Sequence, residues 1–324
     1  MSRTALNMSE PGDEPQAEPA SEPAAEPASE PTATPHIALV EPPAVEAIEP
    51  PVKVARQPPK QIIFRHRLIV RITHWINLVC ITLLILTGAQ IFNAHPMLYW
   101  GAYGADADKP FVSLYADDWR KAHPRGITII GPLKFDTTGV FGVSDGQIRG
   151  YPKWLTWPST RNLAEGRRWH FFMAWIFVLN GAIYLISSAI NGHFRRDLAP
   201  TGEQLRPRNI RREIVDHIQL KHPVGEEAKR YNVLQKLAYL GVILLMVLMV
   251  MTGLTMSPGF DAVAPGLLVL FGGRQSARTI HWICANLIVL FVLVHVIEVF
   301  IAGVFNEIGS MITGRYTIKT GADH

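Results

Sequence analysis

Cysteine is nearly absent from this chain: Cys80 and Cys284 are the only two in 324 residues, and neither belongs to a CxxC or CxxCH motif. That excludes a disulfide framework, a thiolate-held iron–sulfur cluster and a covalently attached c-type haem. Charge of one sign is also lacking, with 31 basic residues against 27 acidic ones and a net charge of +4. With no nucleic-acid-binding module in view, this balance gives no ground for a nucleic-acid partner. HExxH and comparable metal-ligand spacings are missing too. So is the compact apolar core and small-residue cleavage site of a signal peptide, and the N-terminal segment is expected to be retained.

What is present divides in two. Residues 1–60 are rich in Pro, Ala and Glu, with AEPASEPAAEPASEP nearly repeating. Such a stretch has little apolar surface to offset its ordering entropy and reads as a disordered tail. Residues 61–320 form a membrane domain. Four apolar runs, Ile72–Phe92, Trp169–Ile190, Leu237–Met256 and Ile280–Phe305, are long enough to span a bilayer. Counted with their flanks, the spans cover about 71–93, 169–190, 233–256 and 279–305. The expected fold is therefore an all-α, four-transmembrane-helix bundle. Cys80 and Cys284 lie inside spans as small packing residues.

Basic residues orient the bundle. Lys53, Arg56, Lys60, Arg65, Arg67 and Arg71 precede the first span. Arg195, Arg196, Arg206, Arg208, Arg211, Arg212, Lys221, Lys229 and Arg230 crowd the 191–232 connection. Positive loops stay inside, so both termini and that connection are expected in the cytoplasm of a bacterial inner-membrane protein. The long 94–168 insertion then faces the periplasm. Its turn signals (HPRG, IIGPL, VSDGQIRGYP) and its aromatics Trp100, Tyr103, Trp119, Trp154 and Trp157 suggest an ordered cap or a docking surface. Residues 257–278 are too short and broken to span and are expected to make a short surface helix. Asn306–Tyr316 reads as an interfacial segment.

The most informative pattern is in the histidines. His281 and His295 are fourteen residues apart within one span. That spacing puts both on one helix face to within about 40° and separates their levels by roughly 21 Å. His74 lies near the start of the first span and His170 near the start of the second. In an antiparallel bundle His170 then pairs with His281 on the outer side, and His74 with His295 on the inner side. Polar groups are costly in lipid and are usually functional there. Four imidazoles at two levels suit two non-covalent b-type haems with both axial positions filled, a constellation for electron transfer rather than oxygen binding.

Other candidates surround this scheme. Arg71, Arg167 and Arg278 each precede one of these histidines by three residues, one turn nearer water, where they could meet anionic propionates. Gly88, Gly181, Gly253 and Gly303 could admit a macrocycle or simply allow close helix packing. Glu298 follows His295 by one turn and is a proton-relay candidate. His66, His95 and His193 fit interfacial roles. His36, His123, His217, His222 and His324 fall in loops or tails.

With RITHW in the first span, RRWH in the second, RYNVLQKLAY opening the third, ARTIHWICANLIVLFVLVHVIEVF as the fourth and a terminal GSMITG, the chain resembles a known family. It is similar to the formate dehydrogenase gamma and nickel–iron hydrogenase cytochrome b family, cytochrome b561-like in kind. The likeness is strongest to thiosulfate-reductase-type cytochrome b subunits, over roughly residues 64–318. The resemblance implies two b haems, axial ligands at His74, His170, His281 and His295, and a periplasmic redox partner, typically a molybdopterin enzyme, linked to the quinone pool. It nominates Asn232, with Tyr231 and Gln235, beside the quinone. The formate enzymes carry a glycine two residues after this asparagine, where this chain has Leu234.

Three other readings make different demands. A self-standing cytochrome oxidising superoxide or another small reductant would work without a partner. A hydrogenase cytochrome b subunit would change only the partner. A haem-free transporter using histidines as proton relays would be colourless, and the chain lacks the broken-helix inverted repeats such transporters show.

Overall fold

The computed structural model describes residues 60–104, 108–219 and 231–319. The tail, with Lys53, Arg56 and His36, lies outside the described residues, as do Lys221, His222, Lys229, Arg230 and His324. Four long helices carry the fold: α1 (Leu68–Phe92), α2 (Leu163–Ile190), α4 (Val233–Thr255) and α7 (Arg274–Thr313). At 1.5 Å per residue, the shortest of them, 23 residues long, spans about 34 Å, enough for a hydrocarbon core.

Their surface is the reverse of a water-soluble bundle. Phe172 and Leu179 on α2, Leu244 on α4, and Leu290, Leu293 and Phe300 on α7 point outward, while Thr73, Thr87, Thr252, Thr255 and Thr279 are buried. Helices gain nothing from burying leucine when the solvent is itself hydrocarbon; small side chains and interhelical hydrogen bonds hold them instead. Asn180 of α2 illustrates this, donating across to the Thr73 carbonyl of α1 at 2.9 Å and to Asn77 Oδ1 at 2.8 Å. The chain is a multi-pass membrane protein.

The insertion is where the all-α expectation fails. It folds as a four-stranded antiparallel sheet in the order β2 (Met97–Leu98), β3 (Val112–Ala116), β4 (Gly126–Ile130), β5 (Leu133–Asp136), followed by a hairpin of β6 (Gly142–Ser144) and β7 (Gln147–Arg149). Asp145 and Gly146 take positive φ values of 50° and 68° at the hairpin tip, the backbone a two-residue turn of the primed type requires. Leu98, Val112 and Leu114 pack with Phe92 of α1, and Phe111, Phe141, Tyr151 and Trp282 close around them. The strands form because the segment has its own apolar core to build, continuous with the ends of α1 and α7.

Elsewhere the expected elements are redrawn. Two short helices, α5 (Pro258–Val263) and α6 (Gly266–Phe271), replace the single surface helix. The 191–232 connection contains α3 (Pro207–Ile218), with Pro in its first turn. Helix α7 starts earlier and runs further than the expected fourth span, taking in the segment read as interfacial, and it bends at Gly303 (φ 108°, ψ 89°). Beyond it β8 (Arg315–Lys319) pairs antiparallel with β1 (Lys60–Phe64), placing Phe64 opposite Arg315.

This terminal ribbon has a built-in pH dependence. His66, just after β1, is held neutral: burial first, then the nearby cations Arg65, Arg71 and the imidazoles of His74 and His193, push its pKa from 6.5 down to about 4. The unfolded chain therefore takes up a proton that the folded one refuses. The stability His66 contributes is present above about pH 6.5 and is lost as pH falls towards 4. Amide exchange in β1 and β8, corrected for intrinsic rates, should accelerate across that window. His66→Gln should flatten the response.

Candidate functional site

The four histidines meet as two pairs, both involving α7. His170 of α2 and His281 of α7 have ring centroids 6.5 Å apart, and His74 of α1 and His295 of α7 have centroids 6.2 Å apart. Metal–imidazole nitrogen bonds run about 2.0 Å and that nitrogen lies about 1.1 Å from its ring centre, so imidazoles on opposite faces of one metal have centroids about 6.2 Å apart. Both separations match. Each pair is thus spaced to hold one metal between two rings, and the shared helix sets the levels.

The first pair, at the end covered by the β module, is locked by threonines. Thr87 Oγ1 of α1 lies 3.0 Å from His170 Nδ1, and Thr252 Oγ1 of α4 lies 2.9 Å from His281 Nδ1. Each hydroxyl spends its one proton on its own helix, on the Leu83 carbonyl at 2.6 Å and the Leu248 carbonyl at 2.6 Å. Each hydroxyl then accepts from the imidazole, beside the Leu84 carbonyl for His170 and the Met249 carbonyl for His281; together they fix Nδ1–H and leave Nε2 with a lone pair for ligation. The next residue in both cases is glycine. A Cβ on Gly88 would stand 3.4 Å from His170 Cε1, and one on Gly253 would stand 3.6 Å from His281 Cε1. The Thr–Gly pairs of α1 and α4 make equivalent cradles. Sequence reasoning noted the glycines and missed the threonines, although the dipeptide occurs as TGAQ in the first span and TGLT in the third.

The second pair, at the ribbon end, is built differently. His74 Nδ1 is buried without a hydrogen-bond partner among the described residues. His295 stacks on Phe291 with centroids 5.9 Å apart and planes at 3°.

The arginines separate. Arg71 donates to the Ile312 carbonyl, and its Nε is buried without a partner among the described residues. Arg278 donates to the His95 carbonyl and lies 5.8 Å from the Phe92 ring centre. Arg167 is on the surface, 5.8 Å from the Phe171 ring centre. Of the four glycines singled out in the spans, Gly88 and Gly253 abut imidazoles, Gly181 faces open space and Gly303 makes the bend.

The YNVLQK stretch is used heavily for local structure. Asn232 and Gln235 form a reciprocal capping box at the start of α4: Gln235 N donates to Asn232 Oδ1 at 2.8 Å and Asn232 N donates to Gln235 Oε1 at 3.3 Å. Lys236 is buried and donates to the Ala199 carbonyl and Gln204 Oε1, both at 3.1 Å, tying the connection to the helix. Tyr231 meets Tyr239 edge-on at 5.4 Å, with the Arg65 guanidinium 5.4 Å from its ring centre and 4.4 Å from that of Tyr316. Burial pushes the Tyr231 phenol up from its usual pKa. Glu298 is half-exposed and accepts from His217 Nε2 of α3 at 2.9 Å. His217, expected in a loop, is therefore part of a helix-to-helix contact. No cluster of three or more His, Cys, Asp or Glu able to hold a bare metal ion occurs among the described residues.

Comparison with known proteins adds two findings. A family model described as prokaryotic cytochrome b561 matches residues 65–314. A putative protein-methionine-sulfoxide reductase subunit YedZ1 of Azospira oryzae is 27% identical over 239 residues, which cover 73% of this chain and 90% of that protein. No solved structure matches.

Proposed function

The chain belongs to the prokaryotic cytochrome b561 family, and from that premise we propose that it is a dihaem electron-transfer subunit linking a periplasmic oxidoreductase to membrane quinone. Membership makes it a membrane cytochrome with b-type haem. The observation that carries the finer reading is the two histidine pairs, each spaced for one metal, strung along α7.

In this reading His170 and His281 hold the outer haem, and His74 and His295 the inner one. The bound haems supply one-electron chemistry. The protein's part would be to hold each haem between two histidines, keep their rings still and exclude water. Arg71 and Arg278, one turn from their histidines, are placed to meet propionates; Arg167 would have to swing inward to do so. Arg65, Arg67, Arg71, Arg195, Arg196, Arg206, Arg208, Arg211 and Arg212 gather towards the ribbon end of the fold, which supports placing that end, and both termini, in the cytoplasm of a bacterial inner membrane. The β module then faces the periplasm and covers the outer pair, where a catalytic partner would dock. The similar Azospira protein carries the name of a protein-methionine-sulfoxide reductase subunit, which supports a reductase of oxidised methionine, molybdopterin-bearing as the partners of the resembled subunits are, as the partner here. Quinone would be handled at the ribbon end near Tyr231, with Asn232 and Gln235 reachable only through groups their capping leaves over. Glu298, bonded to His217, would deliver protons to that region, a role its half-exposed position supports.

A reduced-minus-oxidised spectrum with a pyridine haemochrome assay tests the core of this. Two low-spin b haems per chain are expected. One haem, or none in folded protein, would overturn the dihaem reading.

A further inference from the structure

We propose that Thr87 and Thr252 set the redox potential of the outer haem below that of the inner one, a deepening of the dihaem reading above. The two histidine pairs are alike in spacing and unlike in surroundings. At the outer pair each imidazole shares its Nδ1 proton between a threonine hydroxyl, at 3.0 Å for His170 and 2.9 Å for His281, and a backbone carbonyl of the threonine's own helix, Leu84 and Met249 respectively. At the inner pair His74 Nδ1 is buried with no hydrogen-bond partner among the described residues.

The chemistry of that difference is direct. A hydrogen bond that draws on the Nδ1 proton makes the rest of the ring more electron-rich, and Nε2 becomes a stronger donor to whatever it ligates. Ferric iron has one more positive charge than ferrous iron and gains more from a stronger donor. The bond therefore stabilises the oxidised state and lowers the potential. At the outer site the effect acts through both axial rings.

The hydroxyls are well held for this role. Each is anchored to its own helix by a short bond to the carbonyl four residues back, Leu83 for Thr87 and Leu248 for Thr252, so its acceptor lone pairs cannot rotate away. The glycine that follows lies against the imidazole edge in both cases, where an added Cβ would just touch the ring. The arrangement occurs twice, on helices α1 and α4, each serving the histidine of its neighbour. Electrons moving outward from quinone climb the resulting step, and electrons moving inward descend it.

The test is potentiometric. Thr87→Val and Thr252→Val keep the shape of the side chain and remove the hydroxyl acceptor, leaving each imidazole only its backbone carbonyl. One hydrogen bond of ordinary strength corresponds to about a tenfold change in the reduced-to-oxidised ratio at a fixed ambient potential, which for a one-electron couple is about 59 mV. Each variant should raise the potential of the outer component by up to that amount, and the double variant by more. Thr87→Ser and Thr252→Ser, which keep the hydroxyl, should restore the wild-type value and so exclude a packing effect. A His74→Ala background, in which the inner pair is broken, identifies the outer component. Two haems with an outer potential that the valine variants leave unmoved, or that falls, would overturn this inference and leave the dihaem reading standing. A wild-type protein without two haems would remove the dihaem reading itself.

Discussion

His281→Ala protein should carry one b haem where the wild type carries two, and should pass electrons from end to end at less than about 1% of the wild-type rate, since even partners of a metal ligand cost 10–100-fold when removed. The two centres are in series, so losing either one breaks the path. His281 lies 6.5 Å from His170 and far along α7 from His295, and the pairing makes the loss specific. His170→Ala should erase the same spectral component as His281→Ala. His74→Ala and His295→Ala should each erase the other component and leave that one intact. Haem content and difference spectra of the four single variants decide the matter. If His281→Ala and His74→Ala removed the same component, the assignment into pairs would be wrong, whatever happened to the rate.

The second large effect lies outside the membrane. Arg149, at the end of β7, is only 2% exposed and makes no ion pair among the described residues; its guanidinium is spent on the Tyr151 carbonyl at 2.7 Å, the Ser159 carbonyl at 3.2 Å and Thr156 Oγ1 at 2.9 Å. Those three bonds fold the 150–160 stretch back against the module. Arg149→Met would fill much of the volume, leave the buried Thr156 Oγ1 without its donor at a cost of about 1–3 kcal/mol, and leave the Tyr151 carbonyl to Asn93 Nδ2 alone and the exposed Ser159 carbonyl to water. A local destabilisation of about 1–3 kcal/mol is expected, read as new protease cleavage between β6 and α2 and faster amide exchange there. The bundle should still insert and bind haem. The outer component should shift slightly, because Tyr151 accepts from Trp282 Nε1 at 2.9 Å, beside His281. Unchanged protease resistance would show that the stretch is held by something other than Arg149.

The helices were legible in the sequence because a spanning segment must be long and apolar, whatever its neighbours do. Which histidines would lie near one another followed from counting residues, as fourteen positions along one helix determine both direction and depth. The β module was not legible in the same way. Its strands are two to five residues long, too short for alternation to stand out, and Val112–Ala116 and Gly126–Ile130 are separated by a loop that hides their pairing. The Asp145–Gly146 step is the one strong local signal, and by itself it specifies a turn and not the strands that flank it. Thr87 and Thr252 escaped for another reason: threonine inside a span usually bonds its own helix, as both do, and only the fold reveals the second, interhelical bond. The YNVLQK stretch shows the converse. A motif that reads as a binding site spends Asn232, Gln235 and Lys236 on starting a helix and bracing the connection before it.

The ribbon of β1 and β8 has a consequence for the order of assembly. Its two strands are more than 250 positions apart in the chain, yet Phe64 and Arg315 sit opposite one another. During synthesis the first strand emerges before any span and must wait, unpaired, while all four helices are threaded into the bilayer. Only when the last strand leaves the ribosome can the two ends zip. The ribbon thus works as a clasp that closes on a finished bundle, and a chain stopped short of residue 315 would leave an open strand edge as the mark of an incomplete product.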